Sequence, residues 1–187
     1  MNFSVTKEGK PLSKKLYSWD EKTKTFSSKK NDLTLDFSDL NHCTFNTGSY
    51  CTFKTGRHCT FNTGSSCTFD TGFNSTFKTG SDCTFNTGSN CTFKTGNICI
   101  FNTDSHCTFN TGSSCTFDTG NICTFTTTYN CTFDTGGSCI FNTGIECVLV
   151  RRDVYEVYEL REGIKYILND YRIRGFKNKS EIMEQLL

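Results

Sequence analysis

The chain has 187 residues, with 20 Lys and Arg against 19 Asp and Glu, and its formal net charge at pH 7 is +1. Because neither sign is in excess, we expect no binding to nucleic acid or to an anionic membrane. No run of residues is apolar for long enough to cross a bilayer, and the first ten residues lack the apolar core of a secretory signal, so we expect synthesis in the reducing cytoplasm.

Residues 1–42 precede the repetitive part of the chain and are predicted to form an N-terminal cap. Residues 16–20 and 25–28 flank Glu-Lys-Thr-Lys, a pattern that favours a β-hairpin around Trp19. Residues 33–37 alternate apolar and polar side chains and are predicted to lead into the first repeat as a strand, with Phe37 in line with the repeat phenylalanines.

Residues 43–146 form the central domain, which repeats an eight-residue unit of the form C-T-F-x-T-G-x-x thirteen times. The alternation C-T-F-x-T places Cys, Phe and the second Thr on the inner side of a short strand, and the first Thr and the variable residue outside. Glycine at the sixth position is expected to turn a left-handed corner. Repeats of this kind stack their hydrophobic sides, so the sequence predicts an all-β parallel solenoid.

The 13 cysteines occupy one position of the repeat, and only Ser75 interrupts their series. Zinc sites need close pairs such as C-x-x-C, and this chain has none. A regular column instead indicates buried free thiols that pack as small hydrophobes. Binding of a soft metal and occasional disulfides between stacked rungs are the alternatives, and we expect neither a metal nor a cofactor.

The number of repeats in one coil has to be inferred from the variable positions. Asp104 and Thr128 are the residues that replace Gly at position six, and they are three units apart, as are Ile98 and Ile122 at position eight. This spacing favours a three-sided parallel β-helix (solenoid) with three octapeptides in each coil. The alternative is a flattened two-sided roll with two octapeptides in each coil.

Residues 147–187 are predicted to form a C-terminal cap. The segment 147–150 continues the repeat pattern, and residues 154–160 and 164–168 are predicted to form a second hairpin around Arg161-Glu162-Gly163. Ser180 suits the N-cap of a short helix over 181–187. Such a short helix needs a surface to rest on, so we expect it to pack on the cap or to contact a second copy or another protein.

The units C-T-F-N-T-G, C-T-F-K-T-G and C-T-F-D-T-G, followed by Cys-Val-Leu-Val-Arg-Arg-Asp-Val-Tyr-Glu-Val from residue 147, resemble uncharacterised repeat proteins of large DNA viruses and phages. The resemblance covers residues 16–176. It implies a solenoid in a virus-related or microbial setting, including association with a virion, and it implies no activity.

In a 24-residue coil, one outward face is more regular than the others. It consists of four Thr positions, each followed by an Asn or Asp: Thr60, Asn62, Thr84, Asn86, Thr108, Asn110, Thr132 and Asp134. The chain has no glycine-rich phosphate loop, no H-E-x-x-H and no G-x-S-x-G, so we expect no catalytic residue and no enzyme. The sequence therefore favours a structural or interaction scaffold, with ice binding or carbohydrate binding through the Thr/Asn face as the alternatives.

Overall fold

The computed structural model describes residues 3–177, and its secondary structure consists of short β-strands and one 3-10 helix, Lys14–Leu16. The strands before the repeats are β1 (Ser4–Lys7), β2 (Lys10–Pro11), β3 (Ser18–Asp20), β4 (Thr25–Ser27) and β5 (Leu33–Phe37). The repeats contribute β6 (Thr44–Asn46), β7 (Thr52–Thr55), β8 (Thr60–Asn62), β9 (Thr68–Thr71), β10 (Thr76–Lys78), β11 (Thr84–Thr87), β12 (Thr92–Lys94), β13 (Ile100–Thr103), β14 (Thr108–Asn110), β15 (Thr116–Asp118), β16 (Thr124–Thr126), β17 (Thr132–Thr135) and β18 (Ile140–Asn142). The strands after the repeats are β19 (Cys147–Arg151), β20 (Glu156–Leu160) and β21 (Lys165–Ile167).

From β4 to β19, successive strands alternate between two sheets. Sheet A has 11 strands in the order β2-β1-β5-β7-β9-β11-β13-β15-β17-β19-β20, and sheet B has 10 strands in the order β21-β18-β16-β14-β12-β10-β8-β6-β4-β3. Neighbouring repeat strands pair in parallel, with Phe77 opposite Phe93 and Phe85 opposite Phe101. One coil therefore contains two octapeptides, and the prediction of three octapeptides per coil is wrong. The alternative two-sided arrangement is the observed one.

The interior confirms the predicted inner and outer positions. The phenylalanines at the third position of the repeat, from Phe45 to Phe141, are at most 1% exposed, whereas the corner residue Phe73 is 39% exposed. Within a sheet, the rings of Phe77 and Phe93 are parallel with centroids 4.9 Å apart, and between the sheets the ring of Phe93 meets that of Phe85 edge to face at 5.2 Å. These are the two preferred arrangements of aromatic pairs. Because both sheets contribute a ring at every level, the two Phe columns interlock and hold the sheets together.

The corners are built differently from the expectation. The left-handed residue is the eighth of each unit, such as Tyr50 and Ser66 with φ of 59° and 57°, while the sixth-position glycines of the repeats do not have positive φ. Glycine is needed there for close packing, because a Cβ on Gly64 would lie 2.2 Å from Oγ of Ser49 in the coil before. That oxygen accepts a hydrogen bond from the backbone N–H of Ser65 at 3.1 Å. The same contact recurs one coil on, where Ser81 N–H donates to Ser65.

Both ends of the two sheets carry antiparallel strands. At the start, β3 and β4 form the predicted hairpin, with Trp19 opposite Phe26, and β1 pairs antiparallel with β5. At the other end, β20 pairs with β19 in sheet A and β21 pairs with β18 in sheet B. The predicted hairpin between residues 154–160 and 164–168 is wrong, because each sheet has its own last parallel strand to pair and the chain crosses between the sheets after Leu160.

A buried arginine fixes the segment that follows β19. Arg151 continues the inner column above Thr135 and has no exposed surface. Its guanidinium donates to both carboxylate oxygens of Asp153, at 3.1 and 2.6 Å, and to the carbonyl of Ile173 at 2.9 Å. The backbone N–H of Arg172 donates to the same carboxylate at 2.8 Å. The helix predicted over residues 181–187 lies outside the described residues.

Candidate functional site

Each sheet presents two straight columns of outward side chains, one from the second and one from the fourth position of the repeat. Face A is defined by the outward residues of sheet A: Thr52, Lys54, Thr68, Asp70, Thr84, Asn86, Ile100, Asn102, Thr116, Asp118, Thr132 and Asp134. Face B is defined by those of sheet B: Thr44, Asn46, Thr60, Asn62, Thr76, Lys78, Thr92, Lys94, Thr108, Asn110, Thr124 and Thr126. Strand neighbours in a sheet are about 4.8 Å apart, so each column repeats at that interval.

The structure divides the predicted Thr/Asn surface between the two faces. Face A holds Thr84, Asn86, Thr132 and Asp134, and face B holds Thr60, Asn62, Thr108 and Asn110. A spacing of three octapeptides is one and a half coils, so successive members of the predicted set point to opposite sides of the solenoid. The predicted single surface is therefore not formed.

Face B carries the most regular column of the described residues. From Thr44 to Thr124, the second position of every coil is Thr, and each is in register with the next. In the neighbouring column, the side-chain amide of Asn62 donates to Asn46 at 3.0 Å, as in an asparagine ladder. The same column then carries Lys78 directly opposite Lys94. The sequence signal for this pair was available, since the two lysines occupy the same position in units that are two apart.

Face A places opposite charges next to each other. Lys54 is in register with Asp70 on one side and, on the other, with Asp36 of the preceding strand β5. Near its other end, Arg152 lies between Asp118 and Asp134 and forms an ion pair with each, its Nε standing 2.7 Å from Oδ1 of Asp134. Burial raises the pKa of Asp134, an effect that Arg152 opposes and Asp118 adds to.

The cysteines lie in two inner columns that run the length of the repeats. All 13 are free and buried, as the sequence predicts. The thiol of Cys67 donates to carbonyl oxygens of its own corner and of the coil before, for example Gly48 at 3.8 Å. The pKa of Cys147 lies above its usual value because its thiol is hydrogen-bonded to Cys131 and is buried. Because all 13 thiols are buried, a reagent or substrate has no access to them in the folded protein, and the columns pack rather than react.

None of the three histidines lines the open grooves at the two ends of the solenoid. His42 and His58 stack on one corner with ring centroids 4.6 Å apart. Among residues 3–177 no group of three or more His, Cys, Asp or Glu side chains is arranged to hold a metal ion. Grooves of about 920 and 490 Å³ lie beside Tyr17 and Tyr129 at the two ends. No helix in the described part of the chain has the length and apolarity to pass through a membrane.

These features define the class of protein: a two-sided parallel β-solenoid with columns of phenylalanine and cysteine inside and two flat polar faces outside. Comparison of the chain with family models, with curated proteins and with solved structures finds no match.

Proposed function

We propose that the chain is a non-catalytic scaffold, a rigid rod whose two faces and two ends bind other molecules. The observation that carries the proposal is the unbroken interlocked column of rings from Phe45 to Phe141, which leaves no cleft between the sheets and makes every repeat strand part of one core. Each sheet contains eight parallel strands, so the stack is about 34 Å long at the usual strand spacing.

The ends support the same role. Unpaired strand edges promote end-to-end association, and natural sheets block them with short strands, charges and proline. The last strand of sheet A at the N-terminal end is the dipeptide Lys10–Pro11, and β20 and β21 follow the last parallel strands at the other end. We propose that these strands act as caps. The resemblance to repeat proteins of large DNA viruses and phages adds a virion surface or assembly setting to the proposal.

Native-state hydrogen exchange tests the rod. A rigid scaffold requires that the backbone amides of all eight coils exchange only through opening of most of the stack. We expect similar protection from β6 to β18. Rapid exchange of the middle coils, with the ends still protected, would rule out a rigid rod.

Ice binding through face B is a second candidate, favoured by the uninterrupted Thr column from Thr44 to Thr124. Regular Thr columns on a flat β-helix resemble the surface of some antifreeze proteins. A thermal-hysteresis measurement on the wild-type chain, on Thr92→Arg and on the face A control Thr84→Arg tests it. We expect Thr92→Arg alone to abolish hysteresis, and an unshaped ice crystal with the wild type would exclude ice binding.

A further inference from the structure

Two lysines on face B form an uncompensated pair of like charges. Lys78 and Lys94 occupy the same repeat position in adjacent coils, directly opposite each other on β10 and β12, and both are exposed. Asn62 and Asn110 flank them in the column. The next acidic residue along the chain is Asp82 at the corner, and no ion pair among residues 3–177 includes either lysine.

Face A shows how this fold satisfies two like charges one coil apart. Asp118 and Asp134 stand in the same relation as the lysines, and a single group of opposite charge, the guanidinium of Arg152, bridges them. Lys78 and Lys94 have the same register with the sign of the charge reversed, and no acidic side chain of the described residues bridges them. An anion placed between the two ammonium groups would take the place that Arg152 has between the aspartates.

We propose that the lysine pair and its Thr and Asn neighbours form a binding site for an acidic polysaccharide. A carboxylate of a uronic acid would bridge Lys78 and Lys94 as Arg152 bridges the aspartates. Sugar hydroxyl groups both donate and accept hydrogen bonds, and the flanking hydroxyl and amide side chains of Thr76, Thr92 and Asn62 do the same. The inference rests on the proposed role of the faces as binding surfaces.

The mixture of lysines with hydroxyl and amide side chains favours this ligand over nucleic acid and over a second copy of the chain. Nucleic acid is bound mainly through many phosphate contacts along a basic stripe, whereas face B offers two lysines among side chains that hydrogen-bond sugar hydroxyl groups. A second copy would have to present face A, whose acidic groups are next to Lys54 in the column or form ion pairs with Arg152. A polymer that presents hydroxyl groups beside each carboxylate matches a surface on which two lysines lie among hydroxyl and amide side chains.

Isothermal titration of the full chain with polygalacturonate, with neutral dextran and with polyadenylate tests the proposal. The test variant is the double change Lys78→Gln and Lys94→Gln, and the matched control is Lys54→Gln, which removes a lysine from the same repeat position on face A. We expect polygalacturonate to bind the wild type and the control alike, and the double variant about tenfold more weakly, as is usual for loss of two exposed ion pairs. Dextran and polyadenylate should bind much more weakly than polygalacturonate.

Three results would overturn the inference: no binding of polygalacturonate, an equal loss of affinity in Lys54→Gln, or equal binding of polyadenylate, which would indicate attraction by charge alone. Circular dichroism of each variant shows whether the fold is retained. The variants change only outward side chains, so they test the binding site separately from the rod. If the wild type does not bind polygalacturonate but the amides of the coils stay protected in hydrogen exchange, the binding proposal fails and the scaffold proposal is unaffected.

Discussion

The core column can be tested by removing one ring from the middle of the stack. Phe93 is 1% exposed and contacts four other rings: it is parallel to Phe77 and Phe109 at 4.9 Å, and edge to face with Phe85 and Phe101 at 5.2 Å. Phe93→Ala would remove all four contacts and leave a cavity bounded by four rings.

The expected loss of stability lies at the upper end of the usual range. Burial of a phenylalanine and the cavity that its removal leaves together cost about 3 to 5 kcal/mol. The cost falls when neighbours can move into the space, but here the coils above and below are held in register by backbone pairing on both sides. We therefore expect the free energy of unfolding to fall by about 5 kcal/mol. Lys94→Ala, one residue away and outward, should change it by less than about 0.5 kcal/mol.

Chemical denaturation followed by circular dichroism measures both changes. Equal loss of stability in the two variants would refute the assignment of inner and outer positions. A mid-stack cavity can also divide the solenoid into halves that unfold separately, since repeats interact mainly with their neighbours. In that case Phe93→Ala should show two transitions where the wild type shows one.

The other predictions concern the corners, the thiols and the C-terminal segment. Gly112→Ala should lower the free energy of unfolding by about 1 to 3 kcal/mol, because the new Cβ would lie 1.8 Å from the Asn97 oxygen that accepts a hydrogen bond from the Ser113 N–H. Chemical denaturation measures the change, and an unchanged midpoint would contradict the close contact. Ile98 is exposed and has φ of 58°, so Ile98→Asn should raise the free energy of unfolding by about 1 kcal/mol, and a loss instead would mean that the isoleucine makes a stabilising contact. All 13 thiols should resist a thiol reagent in the native protein and react after unfolding, and fast native reaction would contradict their burial. Burial raises the pKa of Asp153, but hydrogen bonds from the Arg172 backbone and from Arg151 hold the pKa below its usual value of 3.8. The ion pair of Arg151 and Asp153 therefore stabilises the fold at neutral pH, and this stabilisation is lost as the pH falls below 3.8 and the carboxylate is protonated. Removing the Arg151 side chain should lower the free energy of unfolding by about 3 to 5 kcal/mol at pH 7. Asp153→Asn should make the free energy of unfolding depend less on pH below about pH 4.

The sequence predicts the strand within each octapeptide because its alternation has the period of a β-strand and its apolar residues are almost invariant. The Cys and Phe positions are buried, as expected from this period alone. The number of octapeptides in one coil cannot be predicted in the same way, because in a repeat this strict the units that are one, two or three apart are equally similar in sequence. The expectation of three octapeptides per coil relied on substitutions such as Asp104 and Thr128, which lie on opposite corners.

The residues that report the true coil length are charged or polar pairs. Lys78 and Lys94, and Asp118 and Asp134, are each separated by two octapeptides and stand directly opposite each other in the sheets. A sequence pattern cannot distinguish such pairs from chance without knowing which contacts the corners allow. The corner differs from the prediction because glycine has two uses: it permits positive φ, and it permits close approach of neighbouring coils. At the sixth position of the repeat, the second use applies.

The alternation of octapeptides between two sheets restricts how the length of this protein can vary. Loss or gain of two units removes or adds one whole coil, and the segment after the repeats still meets sheet A, where β20 and Arg151 continue the structure. Loss or gain of a single unit would bring that segment to the opposite side, where β18 now pairs with β21. Replication slippage in so repetitive a gene should therefore yield folded proteins when it inserts or deletes two units together. Related genes of different length should differ by even numbers of octapeptides.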